Sequence, residues 1–295
     1  MSNAPRVSVC LTTYNRAGVL PATLEGILAQ SFQDFELIIS DDHSTDGTPS
    51  ICAEYASRDA RIRSYRNATN LGMPGNLNAA IGRACGEYVA NLHDGDYHRP
   101  NLLARWVDAL DRHPSAAFVF NPVEERDAEG CYVKTDLHQF PELIPGHRIL
   151  DELLSQWGSI IWGTVMARRR CYEAVGPFDS RLGFVSDVDM WMRLAARWDV
   201  AYVREPLIAI TPREPDHPYA FVSWELLEVT YDLHAVNIRR RDGDGTEACR
   251  RALARAKRMR DRQWLRSLAI CARHGRWDLL REGLALVGSV MRKTG

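Results

Sequence analysis

The 295-residue sequence predicts an α/β fold: a doubly wound, mostly parallel sheet flanked by helices, followed by a helical C-terminal extension. Three observations carry this prediction. Short apolar, β-branched runs alternate with segments of helical periodicity over residues 6–212. Clusters of polar residues directly follow three of the predicted strands. From about Trp224 the sequence is rich in Arg and Ala, has helical periodicity and shows no strand pattern.

The elements of the first half alternate regularly. Arg6–Tyr14 is the first predicted strand, because it is mainly apolar and β-branched. Val19–Gln30 is predicted to be a helix, with Leu20, Leu24 and Ile27 on one face. The same reasoning predicts strands at Phe35–Ser40, Ile62–Arg66 and Gly86–Ala90, and helices at Thr48–Ser57 and Asn76–Ala84.

The second half is less regular. Helices are predicted at Pro100–His113, Arg168–Val175 and Met190–Trp198, and strands at Ala116–Val123, Val200–Val203 and Leu207–Ile210. Glu124–Gly130 is expected to be a hairpin or loop, Trp157–Met166 strand and turn beside the binding cleft, and Phe178–Leu182 a loop. The extension is predicted to contain helices at Trp224–Ile238, Thr246–His274 and Trp277–Met291. We therefore expect one domain at residues 1–212 and a helical extension at 213–295.

Composition excludes several classes of protein. A formal net charge of −1 gives no general attraction for nucleic acid. No run approaches the roughly 18 apolar residues of a membrane span, and the N-terminus lacks a signal-peptide core. Seven scattered cysteines without CxxC spacing predict reduced thiols in a cytoplasmic protein and argue against a zinc site.

The polar clusters Thr12–Arg16, Asp41–Asp46 and His93–Asp96 follow predicted strands. In doubly wound sheets, ligands bind beyond the carboxyl ends of the strands. Asp94 and Asp96 lie one residue apart, so in extended chain they point to the same side and can converge on Mg²⁺ or Mn²⁺. Taken alone, these two residues fit an ordinary Asp-Gly turn slightly better. Three clusters at one sheet edge favour a binding site.

The first two clusters suggest a nucleotide. Thr12, Tyr14 and Arg16 offer a hydroxyl, an aromatic face and a guanidinium, although a strand end that caps the next helix explains them equally well. Asp42 can accept a hydrogen bond from a pyrimidine N3–H. Ser44 and Asp46 are expected to cap the following helix.

Asp187 is the predicted general base. It is expected to precede a helix, so that its carboxylate faces the cleft while Trp191 and Leu194 pack inward. Asp189 is assigned a structural role at the start of that helix. His217 is a candidate third metal ligand, with a structural role in its Pro-rich loop as the simpler interpretation.

These clusters, in this order, resemble the family 2 glycosyltransferases of the GT-A fold, over roughly residues 6–212. Val7–Arg16 and Phe35–Gly47 resemble the family's first two strands with their polar ends. Asn70-Leu71-Gly72 resembles its Asn-x-Gly turn, and Asp94-Gly95-Asp96 stands at its DxD motif. Ser186–Leu194 resembles its Glu-Asp-x-(Asp/Glu)-Leu-Trp-Leu-Arg-Leu segment. Together these five motifs are far more specific than any one of them.

The resemblance implies an inverting, metal-dependent transfer of sugar from a nucleoside-diphosphate sugar (UDP, dTDP or GDP type) to an acceptor hydroxyl, in surface polysaccharide or glycoconjugate biosynthesis. It assigns Thr12, Tyr14 and Asp42 to the base, Asp94 to the ribose or sugar, Asp96 to Mn²⁺ or Mg²⁺, and Asp187 to the acceptor proton. Arg16, Asn70 and Gly72 complete the implied nucleotide-sugar site.

The sequence departs from the family pattern at two places. His93 and Gly95 stand where the family has a further acidic residue, which predicts a leaner metal site, and Ser186 replaces the usual Glu before the base. The absence of Gln-x-x-Arg-Trp and of spanning helices argues against a processive synthase.

Two other functions stay open at this point. A nucleotidyltransferase would need a Gly-rich loop after the first strand, which Thr12–Gly18 does not supply. A non-catalytic nucleotide-sugar-binding module is compatible with the lean metal cluster. The acceptor is a glycan, a lipid-linked molecule or a small molecule. The Arg-rich extension suits peripheral contact with the inner face of a membrane, a homodimer interface or a solvated helical face.

Overall fold

The computed structural model describes residues 4–127, 129–135, 137–210 and 223–294, with side chains up to residue 286. The strands are β1 (Val7–Thr13), β2 (Phe35–Asp41), β3 (Ile62–Arg66), β4 (Tyr88–His93), β5 (Tyr97–His98), β6 (Ala116–Phe120), β7 (Val123–Arg126), β8 (Tyr132–Thr135), β9 (Leu143–Ile144), β10 (Val165–Arg168), β11 (Asp199–Tyr202) and β12 (Ile208–Ile210). The helices are α1 (Leu20–Leu28), α2 (Thr48–Arg58), α3 (Gly72–Ile81), α4 (Leu102–Arg112), α5 (Gly146–Ser155), α6 (Arg169–Val175), α7 (Ser186–Ala195), α8 (Trp224–Asp242), α9 (Glu247–Arg273) and α10 (Trp277–Thr294).

An eight-stranded sheet forms the centre of the fold, in the order β3-β2-β1-β4-β10-β6-β11-β9. Strands β3, β2, β1 and β4 are mutually parallel. Strand β10 runs antiparallel to both of its neighbours. The predicted doubly wound, mostly parallel sheet is therefore confirmed. The chain order reverses between β1 and β4, which is the point where such sheets bind ligands.

The central strands owe their character to burial on both faces. Strand β2 is buried at every position and β1 at all but one, so neither shows the alternation of a half-exposed strand. Helix α1 buries Leu20, Leu24 and Ile27. Helix α4 buries the entire Trp106 side chain, whose indole Nε1 donates to Asn121 Oδ1 at 2.9 Å. These helices join the strands in one hydrophobic core.

Several boundaries differ from the prediction. Helix α3 begins at Gly72 rather than Asn76, because Pro74 falls in its first turn, where a missing N–H costs nothing. Helix α7 begins at Ser186, so Asp187 lies within the first turn instead of before it. The predicted loop at Phe178–Leu182 contains the start of a 3₁₀ helix, Ser180–Val185.

A second, four-stranded sheet was not predicted. Its order is β5-β12-β7-β8. Strands β7 and β8 form the hairpin that the polar stretch after Val123 suggested. Strand β5 has only two residues, which is too short to produce a sequence pattern. Of Trp157–Met166, predicted as strand and turn, only the last two residues belong to a strand, β10.

Helix α5 also went unpredicted, and a glycine fixes where it starts. A Cβ at Gly146 would lie 2.0 Å from the carbonyl oxygen of Trp198 and 2.2 Å from that of Ala195. The first residue of α5 therefore approaches the end of α7 backbone to backbone. No side chain fits between them.

The chain divides into two compact units. The first contains residues 1–151 and 159–212, and the second contains 152–158 and 213–295. The second unit has its own apolar cluster, built from Trp224, Leu227, Trp264 and Cys271. The Trp224 indole Nε1 donates to the Leu279 carbonyl at 3.0 Å, which ties α8 to α10. Within the described residues, no helix has the length and apolarity that a membrane span requires.

Candidate active site

The polar ends of β1, β2 and β4 meet at one edge of the large sheet. The strand register places Thr13 beside Asp41 and Thr12 beside His93. Tyr14, the next residue, is exposed over 46 % of its surface. The structure thus brings together the three clusters that the sequence separates by up to 80 residues.

Hydrogen bonds connect the loop after β1 to the loop after β2. Asn15 N donates to Ser44 Oγ at 2.8 Å, and Thr45 N donates to Asn15 Oδ1 at 2.8 Å. Asp46 accepts from Thr48 N at 2.9 Å, the capping role assigned to it, and also from Ala17 N at 3.1 Å. These bonds hold Asn15 in the left-handed region, with φ of 52°. The loop that carries Tyr14 and Arg16 is consequently fixed by hydrogen bonds to the loop after β2.

Asp42 is buried at the end of β2 and anchors the Asn70–Gly72 turn. Its Oδ1 accepts from Asn67 Nδ2 and from Leu71 N, both at 2.9 Å. Asn70 Oδ1 in turn accepts from Gly72 N at 2.9 Å, and Gly72 adopts φ of +72°. The turn that the sequence singled out is therefore joined to the aspartate that it was expected to accompany.

Asp94 lies beneath the Arg16 side chain. Arg16 Nε is 3.4 Å from Asp94 Oδ1, and the Asp94 side chain is only 16 % exposed. Burial raises the pKa of Asp94, against the opposing effects of the nearby Thr13 hydroxyl and of the Arg16 guanidinium. The other oxygen, Oδ2, is buried without a hydrogen-bond partner among the described residues.

Asp96 is held by residues that come much later in the chain. Its Oδ2 accepts from the Trp162 indole Nε1 at 3.1 Å and more weakly from Thr164 Oγ1 at 3.5 Å. His93 Nδ1 lies 3.7 Å from the same oxygen. Burial, together with the negative charge of Asp94, raises the pKa of Asp96 to about 7 despite the indole hydrogen bond.

Gly163 connects Asp96 to the predicted general base. A Cβ on Gly163 would lie 2.7 Å from His93 Cε1 and 3.2 Å from Asp187 Oδ2. The segment Trp162–Thr164 therefore contacts Asp96 with its two outer side chains and passes next to Asp187 at Gly163. Asp96, His93 and Asp187 share one site.

Helix α7 fixes the position of Asp187 through its buried residues. The Trp191 ring packs 5.3 Å from Phe118 and 6.0 Å from Phe178, measured between ring centroids. Asp189 is buried and accepts from Arg193 Nε at 2.7 Å. The guanidinium of Arg193 also donates to the carbonyls of Val175 and Pro177. Asp189 therefore orients a clamp that holds α7 against the turn after α6.

The carboxylates of Asp94 and Asp96 fit a divalent cation. Asp94 has a buried oxygen without a hydrogen-bond partner among the described residues, and Asp96 has a raised pKa. A bound cation would interact with that oxygen and would stabilise the charged form of Asp96. Among the described residues, no three His, Cys, Asp or Glu side chains converge as metal ligands. The third ligand predicted from sequence, His217, lies outside the described residues.

Sequence reasoning placed Trp157–Met166 beside the cleft but assigned no role to three of its residues. Trp162, Gly163 and Thr164 lie 66 to 68 residues from Asp96 in the chain, in a segment without regular structure. The only signal in the sequence that could have indicated their role was a glycine, Gly163, between two side chains that can donate hydrogen bonds. His93 was noticed as a departure from the family pattern, but its position next to the Asp96 carboxylate and to Gly163 was not predicted.

Known proteins of one family match this chain. The profile of "Glycosyl transferase family 2" matches residues 8–176. EpsE of Bacillus subtilis (strain 168), which carries a provisional glycosyltransferase name, is 32 % identical over 196 residues, covering 65 % of this chain and 68 % of EpsE.

Solved structures of glycosyltransferases share the fold. S. aureus TarS 1–349 in complex with UDP-GlcNAc has a TM-score of 0.64 at 22 % identity, over 84 % of this chain and 70 % of that chain. The mannosyltransferase PcManGT of Pyrobaculum calidifontis, in complex with GDP-Man and Mn²⁺, has a TM-score of 0.57 at 21 % identity, over 96 % of this chain and 80 % of that chain. The predicted GT-A-type fold is confirmed.

Proposed function

Because this chain belongs to glycosyl transferase family 2, we propose that it transfers a sugar from a nucleoside-diphosphate sugar to an acceptor hydroxyl, with inversion at the anomeric carbon and with Mn²⁺ or Mg²⁺. The observation that carries the proposal is the Trp162–Thr164 segment. It contacts Asp96, at the expected diphosphate end, and passes next to Asp187, the expected base. A donor and an acceptor hydroxyl can meet only where these two functions adjoin.

The donor would lie along the carboxyl ends of β1 and β2. The exposed ring of Tyr14 offers a stacking face for the base. Thr12 and Asp42 offer polar contacts beside it, and the Asn70–Gly72 turn borders Asp42. Arg16 would meet the phosphates, since its guanidinium already lies over Asp94 and against Gly95.

Asp94 and Asp96 would hold the cation, which when bound offsets the negative charge that develops on the departing diphosphate. The chain's own contribution is orientation. Trp162 and Thr164 fix one oxygen of Asp96, and such second-sphere hydrogen bonds determine how a carboxylate meets its metal. His217, outside the described residues, stays a predicted third ligand.

Asp187 would act as the general base. The acceptor hydroxyl gives its proton to the Asp187 carboxylate, and the oxygen bonds to the anomeric carbon from the face opposite the diphosphate. The bond between that carbon and the diphosphate oxygen breaks, and the electron pair leaves with the diphosphate. Asp187 suits this role because α7 holds it rigidly at the site.

Substitution of the base separates binding from chemistry. We expect Asp187→Asn to lower transfer by about 10²- to 10⁴-fold, while Mn²⁺-dependent binding of UDP, dTDP or GDP, measured by thermal shift, stays within about two-fold of wild type. Asp108→Asn, on the exposed face of α4, serves as the matched control and should change neither measurement. Full transfer by Asp187→Asn would refute the assignment.

The donor and acceptor classes are also proposals. The relevant donors are UDP-, dTDP- and GDP-sugars, and the acceptors are glycans, lipid-linked molecules or small molecules of surface polysaccharide or glycoconjugate biosynthesis. We assign catalysis to residues 1–212 and treat residues 213–295 as a helical extension in a cytoplasmic enzyme. A homodimer formed through that extension stays a prediction.

A further inference from the structure

Helix α9 has two chemically distinct faces. Its buried face carries small and aromatic residues: Cys249, Ala252, Ala256, Trp264, Ser267 and Cys271. The opposite, exposed face carries five arginines spaced three or four residues apart, which we call the arginine stripe: Arg251, Arg255, Arg258, Arg262 and Arg266. This spacing puts all five on one side of the helix.

The stripe works against the stability of its own helix. Like charges three or four residues apart repel one another and destabilise a helix. Arg251 is relieved by an ion pair with Glu247 at 3.2 Å. Within the described part of the chain, Arg258, Arg262 and Arg266 form no ion pair. A solvated surface helix would normally intersperse acidic residues, so the stripe indicates an anionic partner.

The positive charge is concentrated in α9 and is not a property of the whole chain. Helix α9 contains nine arginines and lysines against Glu247 and Asp261, whereas the whole chain has a formal net charge of −1. One of the nine, Arg260, is buried, where it lies 4.6 Å from the Tyr231 ring centroid and 3.6 Å from Glu228. Arg260 thus belongs to the packing of the second unit. The other basic residues are exposed.

Exposed apolar side chains accompany the stripe toward the end of α9. Leu265 is 67 % exposed and Ile270 42 % exposed, and Trp277, at the start of α10, is 59 % exposed. Arginines together with exposed leucine and isoleucine on one helix, and an exposed tryptophan at the start of the next, are typical of helices that lie in the interface of a membrane. A nucleic-acid backbone offers no place for these apolar groups.

We propose that the arginine stripe, with Leu265, Ile270 and Trp277, docks the second unit onto the surface of an anionic phospholipid bilayer. The stripe runs along about 22 Å of a single helix, from a rise of 1.5 Å per residue. Such a straight row of guanidinium groups can contact several phosphates of a flat lipid surface at once. The inference does not depend on the proposed donor or base, and it can fail while the proposed function stands.

Vesicle flotation tests the proposal. The full-length chain is mixed with phosphatidylcholine vesicles containing no or 30 % phosphatidylglycerol (by mole), at 50 and at 500 mM NaCl. We expect binding only to the anionic vesicles and mainly at low salt. In the triple variant Arg258→Gln, Arg262→Gln, Arg266→Gln, partitioning should fall about 100-fold, since each basic residue near such a surface contributes roughly five-fold.

A charge-matched triple variant provides the control. Arg58→Gln, Arg105→Gln and Arg112→Gln remove three arginines of the first unit, with side chains 41 to 60 % exposed. They form surface ion pairs with Glu54, with Glu205, and with Asp108 and Glu142, respectively. This variant should bind anionic vesicles like wild type. Circular dichroism and unchanged donor-nucleotide binding verify that both variants are folded.

Three outcomes would overturn the inference. The first is no binding to anionic vesicles at 50 mM NaCl. The second is equal loss in both triple variants, which would mean that only net charge matters. The third is stripe-dependent binding of a soluble DNA duplex, or stripe-dependent self-association in ultracentrifugation, that is stronger than binding to the vesicles.

Discussion

At the scale of single residues, the proposed metal ligand Asp96 is a carboxylate in surroundings that disfavour its charged form. Its side chain is 10 % exposed, next to Asp94, and its pKa is raised to about 7. The pKa of an unfolded-state aspartate is 3.8. Between these two values the unfolded chain ionises while the folded chain holds its proton, so stability falls as the pH rises through this window.

Asp96→Asn should therefore stabilise the metal-free protein. We expect little gain near pH 4, a gain that grows as the pH rises, and a plateau above pH 7 of at most about 4 kcal/mol, at 1.36 kcal/mol per pKa unit. Thermal melts in EDTA at pH 4.5 and 8 measure it. Equal melting temperatures of the two proteins at pH 8 would contradict the prediction. Transfer activity should be lost.

Trp162→Phe removes the indole donor and keeps an aromatic ring. Since the hydrogen bond at 3.1 Å orients Asp96, we expect the apparent Mn²⁺ affinity to fall about 10-fold, the lower end of the usual effect of such a change. Mn²⁺ titrations of nucleotide-dependent thermal shift measure this. Thr164→Val should have a smaller effect, because its contact is 3.5 Å. Trp157→Phe, in the second unit, is the control.

How far the sequence predicts the site differs from residue to residue. Asp94 and Asp96 were recognisable because two carboxylates follow a strand within three residues. Trp162 and Thr164 were not, since a hydrogen bond across 66 residues leaves no local pattern. Ser44 and Asp46 were expected to cap one helix. Asp46 accepts from Thr48 N at the start of that helix and also from Ala17 N, whereas the Ser44 hydroxyl instead accepts from Asn15 N in the loop after β1.

At the scale of elements, the irregular segment 162–164 connects the two halves of the site. Gly163→Ala would push a methyl group to 2.7 Å from His93 and 3.2 Å from Asp187. We expect kcat to fall by about 10-fold or more while the KM for the donor stays nearly constant, since small displacements of reacting groups are costly. In Gly26→Ala, in α1, the added methyl group would have no neighbouring atom within 4 Å outside its own helix backbone, so this variant should behave like wild type. A loss confined to donor KM would contradict this interpretation.

The clamp on α7 gives a second prediction at this scale. Arg193→Lys keeps the charge opposite Asp189 but cannot span the carbonyls after α6. We expect the free energy of unfolding to fall by about 1–3 kcal/mol, as for lost hydrogen bonds to a charged group, and kcat to fall with it. Denaturant titration and steady-state kinetics measure the two effects. Arg197→Lys, which loses one carbonyl contact, is the matched control.

Element prediction succeeded where patterns were long. The burial of α1 and α4 followed from apolar spacing, and β1 and β2 from continuous apolar runs. Strands β5 and β9 have two residues each, so only their pairing partners define them. Helix α5 was not predicted although its sequence is amphipathic. The prediction relied on strands alternating with helices, and the residues next to α5 showed no strand pattern.

At the scale of the whole molecule, the order of strands explains why distant motifs function together. Alternation of strand and helix predicted a parallel sheet, but not that β10 would enter it antiparallel between β4 and β6. That insertion carries the preceding segment, 162–164, to the end of β4. The register of a long-range strand pair depends on tertiary packing, which no local pattern encodes.

The two compact units predict separable effects of core truncation. Trp224→Ala removes the centre of the second unit's apolar cluster and should cost about 3–5 kcal/mol there. Hydrogen exchange should accelerate in α8, α9 and α10 and stay unchanged in β1, β2 and β4. Trp106→Ala, in the core of the first unit, should show the opposite distribution. Uniform acceleration in both variants would mean one cooperative unit.

The contact at Gly146 has a consequence for how this sequence can diverge. Gly26 and Gly146 look equally ordinary in the printed chain. In a saturation library selected for soluble protein, Gly26 should accept alanine and gain helix propensity. Position 146 should return glycine alone, since even a methyl group meets two carbonyl oxygens. Tolerance to mutation at these two sites therefore depends on how closely a neighbouring backbone approaches the glycine, and not on the chemical character of the new side chain.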